Sequence, residues 1–110
     1  MIRASSVSRM KASSTLLLLQ LLSERPMYGF ELAELVRART KNVLDFKEGT
    51  LYPALYRLER DGLVEAYWQD NPAGPRRCYY RLTPGGRVAL AERRADWTRL
   101  VEAIDGALGT

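Results

Sequence analysis

The chain has 110 residues, 46% of them apolar and 27% charged, with a net charge of +4 and an isoelectric point near 9.5; this fits one compact water-soluble domain with a polyanionic partner. It holds no histidine and one cysteine, Cys78, which excludes an internal disulfide, a zinc site built on Cys and His, and general-base catalysis by histidine. No metal or cofactor is expected, and a lone thiol suits a reducing cytoplasm.

Residues 1–9 carry serine and arginine without periodicity and read as a flexible arm. A first helix is expected from Met10 to Glu24. Its run from Leu16 to Leu22 follows Arg3, Arg9 and Lys11 and superficially imitates a signal peptide. The run is too short to span a bilayer, and Ser23-Glu24-Arg25-Pro26 is no small-residue cleavage site, so it reads as a buried helix and no membrane partner is expected. Apolar nearly all round, it needs cover on more than one side. Pro26 stops it.

A second helix is expected from Tyr28 to Arg39, with Phe30, Leu32, Ala33, Leu35 and Val36 at helical spacing. Gly29 early in that helix costs about 1 kcal/mol relative to alanine, which argues for close backbone packing there. Thr40 to Asn42 then lead through Val43, Leu44 and Phe46 to a third helix. There Leu51, Leu55 and Leu58 form an inward stripe, and Tyr52, Tyr56, Arg57 and Arg60 lie off it. Thr50 is expected to cap this helix with Pro53 in its first turn, and Gly62 to end it in a left-handed cap with Leu63 behind.

Two strands follow, about Val64 to Gln69 and Arg76 to Leu82. Asp70-Asn71-Pro72-Ala73-Gly74-Pro75 between them is dense in turn residues, which predicts a hairpin with a projecting loop flanked by Arg76 and Arg77. Thr83 caps a last helix, with Pro84 at its first position, running to about Ala107. Leu90, Trp97, Val101, Ile104 and Leu108 form a heptad-like seam broken by Arg94, and so strong a stripe needs a partner. Met10, Met27 and Trp68 read as packing residues.

Helix, helix, helix, hairpin, helix is the order of a winged helix-turn-helix. The expected fold is mainly α with a small β-hairpin: an arm over 1–9, the winged helix-turn-helix over 10–83, and a C-terminal dimerisation helix over 84–110 packed with the first helix. The third helix suits the ~12 Å major groove of DNA. Tyr28, Lys47, Thr50, Tyr52, Pro53, Tyr56 and Arg57 are the expected contacts of the helices, and Arg76 and Arg77 those of the hairpin with phosphates or minor groove. The partners are then double-stranded DNA with a palindromic operator and a second copy of the chain. A module that binds protein or RNA without a defined operator is the alternative. An enzyme is not expected: no nucleophile–base pair exists, and Gly85-Gly86 lacks the spacing of a phosphate-binding loop.

Three blocks carry a family resemblance: Tyr28-Gly29-Phe30-Glu31-Leu32; Glu48-Gly49-Thr50-Leu51-Tyr52-Pro53-Ala54-Leu55-Tyr56-Arg57-Leu58-Glu59-Arg60-Asp61-Gly62-Leu63; and Arg77-Cys78-Tyr79-Tyr80-Arg81-Leu82-Thr83-Pro84-Gly85-Gly86-Arg87. Over about residues 14–105 the chain resembles PadR-type transcriptional regulators, in the branch with one short C-terminal helix. Cys78 stands where that family commonly has lysine, which removes a phosphate contact. The resemblance implies a cytoplasmic, nucleoid-associated bacterial repressor. It also implies a homodimer built through the last helix, with helix 1 of one subunit against helix 4 of the other, and release by a small aromatic effector. In the multidrug-binding relatives a tryptophan on the last helix forms a flat aromatic pocket at the dimer centre, and Trp97 is similar in position. Leu16, Gln20, Leu90, Arg93, Arg94 and Val101 would neighbour it. Arg93 and Arg94 depart from the more apolar pattern of those relatives, so either the effector is anionic or the centre is filled and binds nothing.

Overall fold

The computed structural model describes residues 14–109; the expected arm, the start of the first helix and Met10 lie outside them. Helix α1 covers residues 14–24, followed by β1 (Met27–Tyr28), α2 (Gly29–Arg39), α3 (Glu48–Arg60), β2 (Val64–Asn71), β3 (Gly74–Leu82) and α4 (Pro84–Leu108). The three strands form one antiparallel sheet in the order β1-β3-β2. This is a winged-helix arrangement, four helices with a small sheet.

The leucine run of α1 is the centre of the core. Leu18, Leu19, Leu21 and Leu22 are all buried, covered by Leu32 and Val36 of α2, the Leu51–Leu55–Leu58 stripe of α3, and Leu90 of α4. The need for cover on several sides is met by every other helix of the domain. Met27 is a core residue as expected.

Thr83 joins the two halves. Its hydroxyl donates to the Gly62 carbonyl at 2.6 Å and accepts from the Gly86 N–H at 3.0 Å, so one side chain caps α4 and ties it to the end of α3. Gly62 supplies the expected left-handed residue, with φ of +75°, and the Leu63 N–H closes on the Leu58 carbonyl at 2.9 Å behind it. Between α1 and α2, both terminal nitrogens of Arg39 reach the Glu24 carboxylate at 2.5 Å. That fork and the guanidinium charge hold the Glu24 carboxyl below the usual carboxylate range.

Several expectations change. α3 begins at Glu48 with Lys47 as its N-cap; the Lys47 carbonyl accepts from both Thr50 and Leu51, each at 2.8 Å. Thr50 is thus inside the first turn rather than capping it, and Pro53 is an interior residue of the helix. Gly49, whose carbonyl the missing Pro53 N–H leaves without its helical partner, is exposed, so water can take that bond. Phe30, expected on the buried stripe of α2, is 63% exposed and stacks beside Tyr28. The projecting loop expected over Asp70–Pro75 is shorter: the strands run to a tight turn at Pro72 and Ala73, where the Asn71 side chain accepts from the Ala73 N–H at 3.1 Å. β1, only two residues long, was not legible in the sequence because it has no room for alternation.

Candidate nucleic-acid interface

The outer face of α3 is set by its inner one. Because Leu51, Ala54, Leu55 and Leu58 are sealed in the core, the helix is fixed in rotation, and Lys47, Thr50, Tyr52, Pro53 and Tyr56 are left facing water, with Arg57 half-buried beside them. Tyr56 is 68% exposed. Tyr52 is the more constrained of the two tyrosines: its ring lies so close to Gly29 that a Cβ there would sit 2.4 Å from the phenol oxygen. The close packing expected at Gly29 is therefore contact with Tyr52, and it locks the start of α2 to the exposed face of α3.

The hairpin separates the two arginines that the sequence groups together. Consecutive strand residues point to opposite faces of a sheet. Arg77 lies on the face away from α3, its guanidinium 4.5 Å from the ring centre of Tyr28. On that face Tyr28 meets Tyr79 edge-on at 5.4 Å, Tyr79 stacks on Tyr67 at 5.8 Å, and Arg81 covers Tyr67 at 4.7 Å while bonding Glu65 at 2.6 Å. Tyr28 is also the N-cap of α2, its N–H bonded to the Glu31 carboxylate at 3.3 Å. Arg77 and Tyr28 thus meet at the α2 N-terminus, where the Glu31 carboxylate takes the Tyr28 N–H and pairs with Arg25.

Arg76 lies on the other face, 5.4 Å from the ring centre of Trp68. Cys78 and Tyr80 share that face. Burial, with the Cys78 thiol beside it, pushes the Tyr80 phenol well above its ordinary value and keeps it protonated. The indole of Trp68 is 61% exposed, so the packing role read from the sequence is limited to carrying Arg76.

A second feature lies between α1 and α4. Leu16, Leu17, Gln20, Arg94, Trp97 and Thr98 line an open recess of about 310 Å³, with the Arg94 guanidinium donating to the Gln20 side-chain oxygen at 3.1 Å. Of the residues expected around an effector, Leu16, Gln20, Arg94 and Trp97 are brought together; Leu90, Arg93 and Val101 do not line the recess. Leu90 is buried in the chain's own core, so it is not a free interface residue. Arg93 holds one guanidinium nitrogen buried without a hydrogen-bond partner among the described residues. Leu17 and Thr98 were missed, Leu17 because it reads as core. Beyond Leu90 the seam is open: Trp97, Leu100, Val101, Ile104 and Leu108 are between 37% and 71% exposed.

A helix with a sealed apolar face and a Tyr/Lys/Arg outer face, flanked by a basic two-stranded wing, defines a winged-helix DNA-binding protein. Residues 18–92 match the model of the transcriptional regulator PadR-like family, and the chain belongs to that family. It is 38% identical over 89 residues to an uncharacterized protein of Lysinibacillus sphaericus, covering 81% of this chain and 82% of that one. With the transcriptional regulator Rv3488 of Mycobacterium tuberculosis it shares 47% identity over 58 residues, 53% of each chain. The crystal structure of a PadR family transcriptional regulator from Eggerthella lenta is similar with a TM-score of 0.75 at 30% identity, covering 99% of this chain and 94% of that one. The family's members are transcriptional regulators rather than enzymes. Among the described residues no helix is long and apolar enough to cross a membrane.

Proposed function

We propose that the chain is a homodimeric repressor that reads a palindromic operator with α3 and leaves it when a small aromatic effector binds. The observation that carries the DNA reading is the exposed Tyr52/Tyr56/Arg57 face of α3, held in rotation by the sealed leucine stripe. Tyr52, Pro53 and Tyr56 are assigned to base edges and Lys47, Thr50 and Arg57 to flanking phosphates. Arg77 and Tyr28 at the α2 N-terminus anchor the backbone, and Arg76 acts from the wing. Titration of the full chain with duplex DNA and duplex RNA of matched sequence tests this. Tight binding to DNA alone is expected, because the narrow major groove of RNA cannot admit α3; equal binding to both would favour the alternative of a general interaction module.

The exposed seam from Trp97 to Leu108 supports the dimer, since an apolar helix face of this length in water calls for a second copy of itself. The recess supports the effector. Trp97 offers an aromatic face and Arg94 a cation at its rim, which favours a planar aromatic carboxylate over a cationic drug. Such a ligand induces only if it binds the DNA-incompetent dimer more tightly than the competent one. Tryptophan quenching by a hydroxycinnamate in the wild type, lost in Trp97→Ala where Trp68 alone reports, is the expected result. Equal quenching in both would leave Trp97 as interface packing.

A further inference from the structure

We infer that Trp68 is a positioning residue for Arg76, and that the pair reads the width of the minor groove flanking each half-site. This rests on the operator-binding role proposed for α3 and adds a second reading element to it. Trp68 pairs across the sheet with Cys78, and Arg76 lies two residues further toward the hairpin tip on the same face, a diagonal neighbour within reach of a long side chain. That face looks toward α3: Val64 and Leu82 at its base join the core that the Leu51–Leu55–Leu58 stripe of α3 also fills. From the Val64–Leu82 pair at the base to Arg76 is six residue steps along β3, about 20 Å at ~3.3 Å per residue. That reach is close to half of the ~34 Å turn of a duplex, the offset from a major groove to the neighbouring minor groove.

Two observations mark this arginine: they set it apart from Arg81, and Arg77, likewise stacked without an ion pair among the described residues, lies on the opposite face of the sheet. An indole 61% exposed does nothing for the core, and the ring it presents to water is covered by a guanidinium. Arg81, stacked in the same manner on Tyr67, is also neutralised by Glu65 at 2.6 Å. Arg76 has neither an ion pair nor a hydrogen bond among the described residues. Its N–H edges are free while its guanidinium carbon rests over the indole, 5.4 Å from the ring centre. Such a side chain has lost part of its freedom before binding, so less is lost on entering a groove. A narrow A·T-rich minor groove concentrates negative potential and draws an arginine so presented. A loose arginine reaching only phosphates would bind every flank alike.

The experiment is competition binding of the full chain to duplexes that share one selected core and differ in their flanks. The flanks are A·T tracts, G·C, and inosine·C, which has the G·C major groove without the guanine amino group in the minor groove. Wild type is expected to bind A·T and inosine·C flanks at least fivefold more tightly than G·C flanks, within the discrimination typical of a specified position. Trp68→Ala and Arg76→Lys should reduce that preference below twofold while still choosing the core, and Trp68→Phe should restore most of it. Undiminished flank preference in Trp68→Ala, or flank indifference in a wild type that still selects the core, overturns this inference alone. Absence of any core preference overturns the operator reading and this one with it.

Discussion

α3 and the distal half of α4 are both amphipathic helices on the surface of one small domain, yet they treat water in opposite ways. α3 hides every leucine it has and shows tyrosine and arginine, with Lys47 at its N-cap. α4 follows the body of the domain through Gly86 and Leu90 and then shows tryptophan, leucine, valine and isoleucine. A surface with sealed leucines and exposed hydrogen-bonding rings suits a polar, charged partner; one with exposed aliphatic residues at helical spacing suits another protein face. The difference supports the proposal of two interfaces with different chemistries, each of which can be broken without the other.

The largest effect is expected at α4. Val101→Asp with Ile104→Asp would place two unpaired carboxylates in the seam that the proposed dimer buries, at a cost on the order of several kcal/mol. Both positions are open to water in the single chain, at 37% and 48% exposure, so the double variant should remain folded as a monomer. Sedimentation showing monomers with undiminished helical circular dichroism is the expected result, whereas an intact dimer would remove α4 from the interface.

Next comes the outer face of α3. Tyr52→Ala and Tyr56→Ala should each weaken operator binding by about 1–3 kcal/mol and relax sequence preference, with melting temperature little changed for Tyr56 because its ring is mostly in water. Sharpened discrimination, or unchanged affinity in both, would show that the tyrosines merely decorate the helix.

Gly29→Ala tests the tie between α2 and α3 and should do less. The new methyl displaces the end of a flexible tyrosine rather than backbone, so a partial loss of the Tyr52 contribution is expected, additive with Tyr56→Ala but not with Tyr52→Ala. Full additivity with Tyr52→Ala in binding measurements would sever that tie.

The smallest effects belong to the wing. Arg76→Ala and Arg77→Ala should each lower the salt slope of binding by about one. Arg77→Ala should act equally on all sequences, since Arg77 sits with Tyr28 on the face away from α3. Wild-type slopes in both variants would exclude phosphate contact by the hairpin.

Much of this was legible in the sequence because it depends on periodicity and punctuation. The leucines of α1, the Leu51–Leu55–Leu58 stripe, the Thr83-Pro84 start of α4 and the Gly62 cap each follow from local chemistry that tertiary contacts reinforce. What was not legible depends on contacts between elements. Phe30 falls two and six residues before the buried Leu32 and Val36, off their face of α2, and is exposed beside Tyr28. Arg76 and Arg77 are adjacent in sequence and opposite in space, which a strand period of two implies once the strand is known to reach the hairpin tip. Leu90 belongs to the α4 seam by spacing, but the domain's own core takes it before a partner can.

The central claim is that two copies of this chain, joined through α4, present two α3 faces to one duplex. Selection of binding sites from a randomised duplex pool by the full-length protein tests it most directly. The account predicts enrichment of an inverted repeat whose half-sites lie about one helical turn, ~34 Å, apart, with Tyr56→Ala degrading both halves equally. Enrichment of a single half-site or a site without dyad symmetry would contradict it.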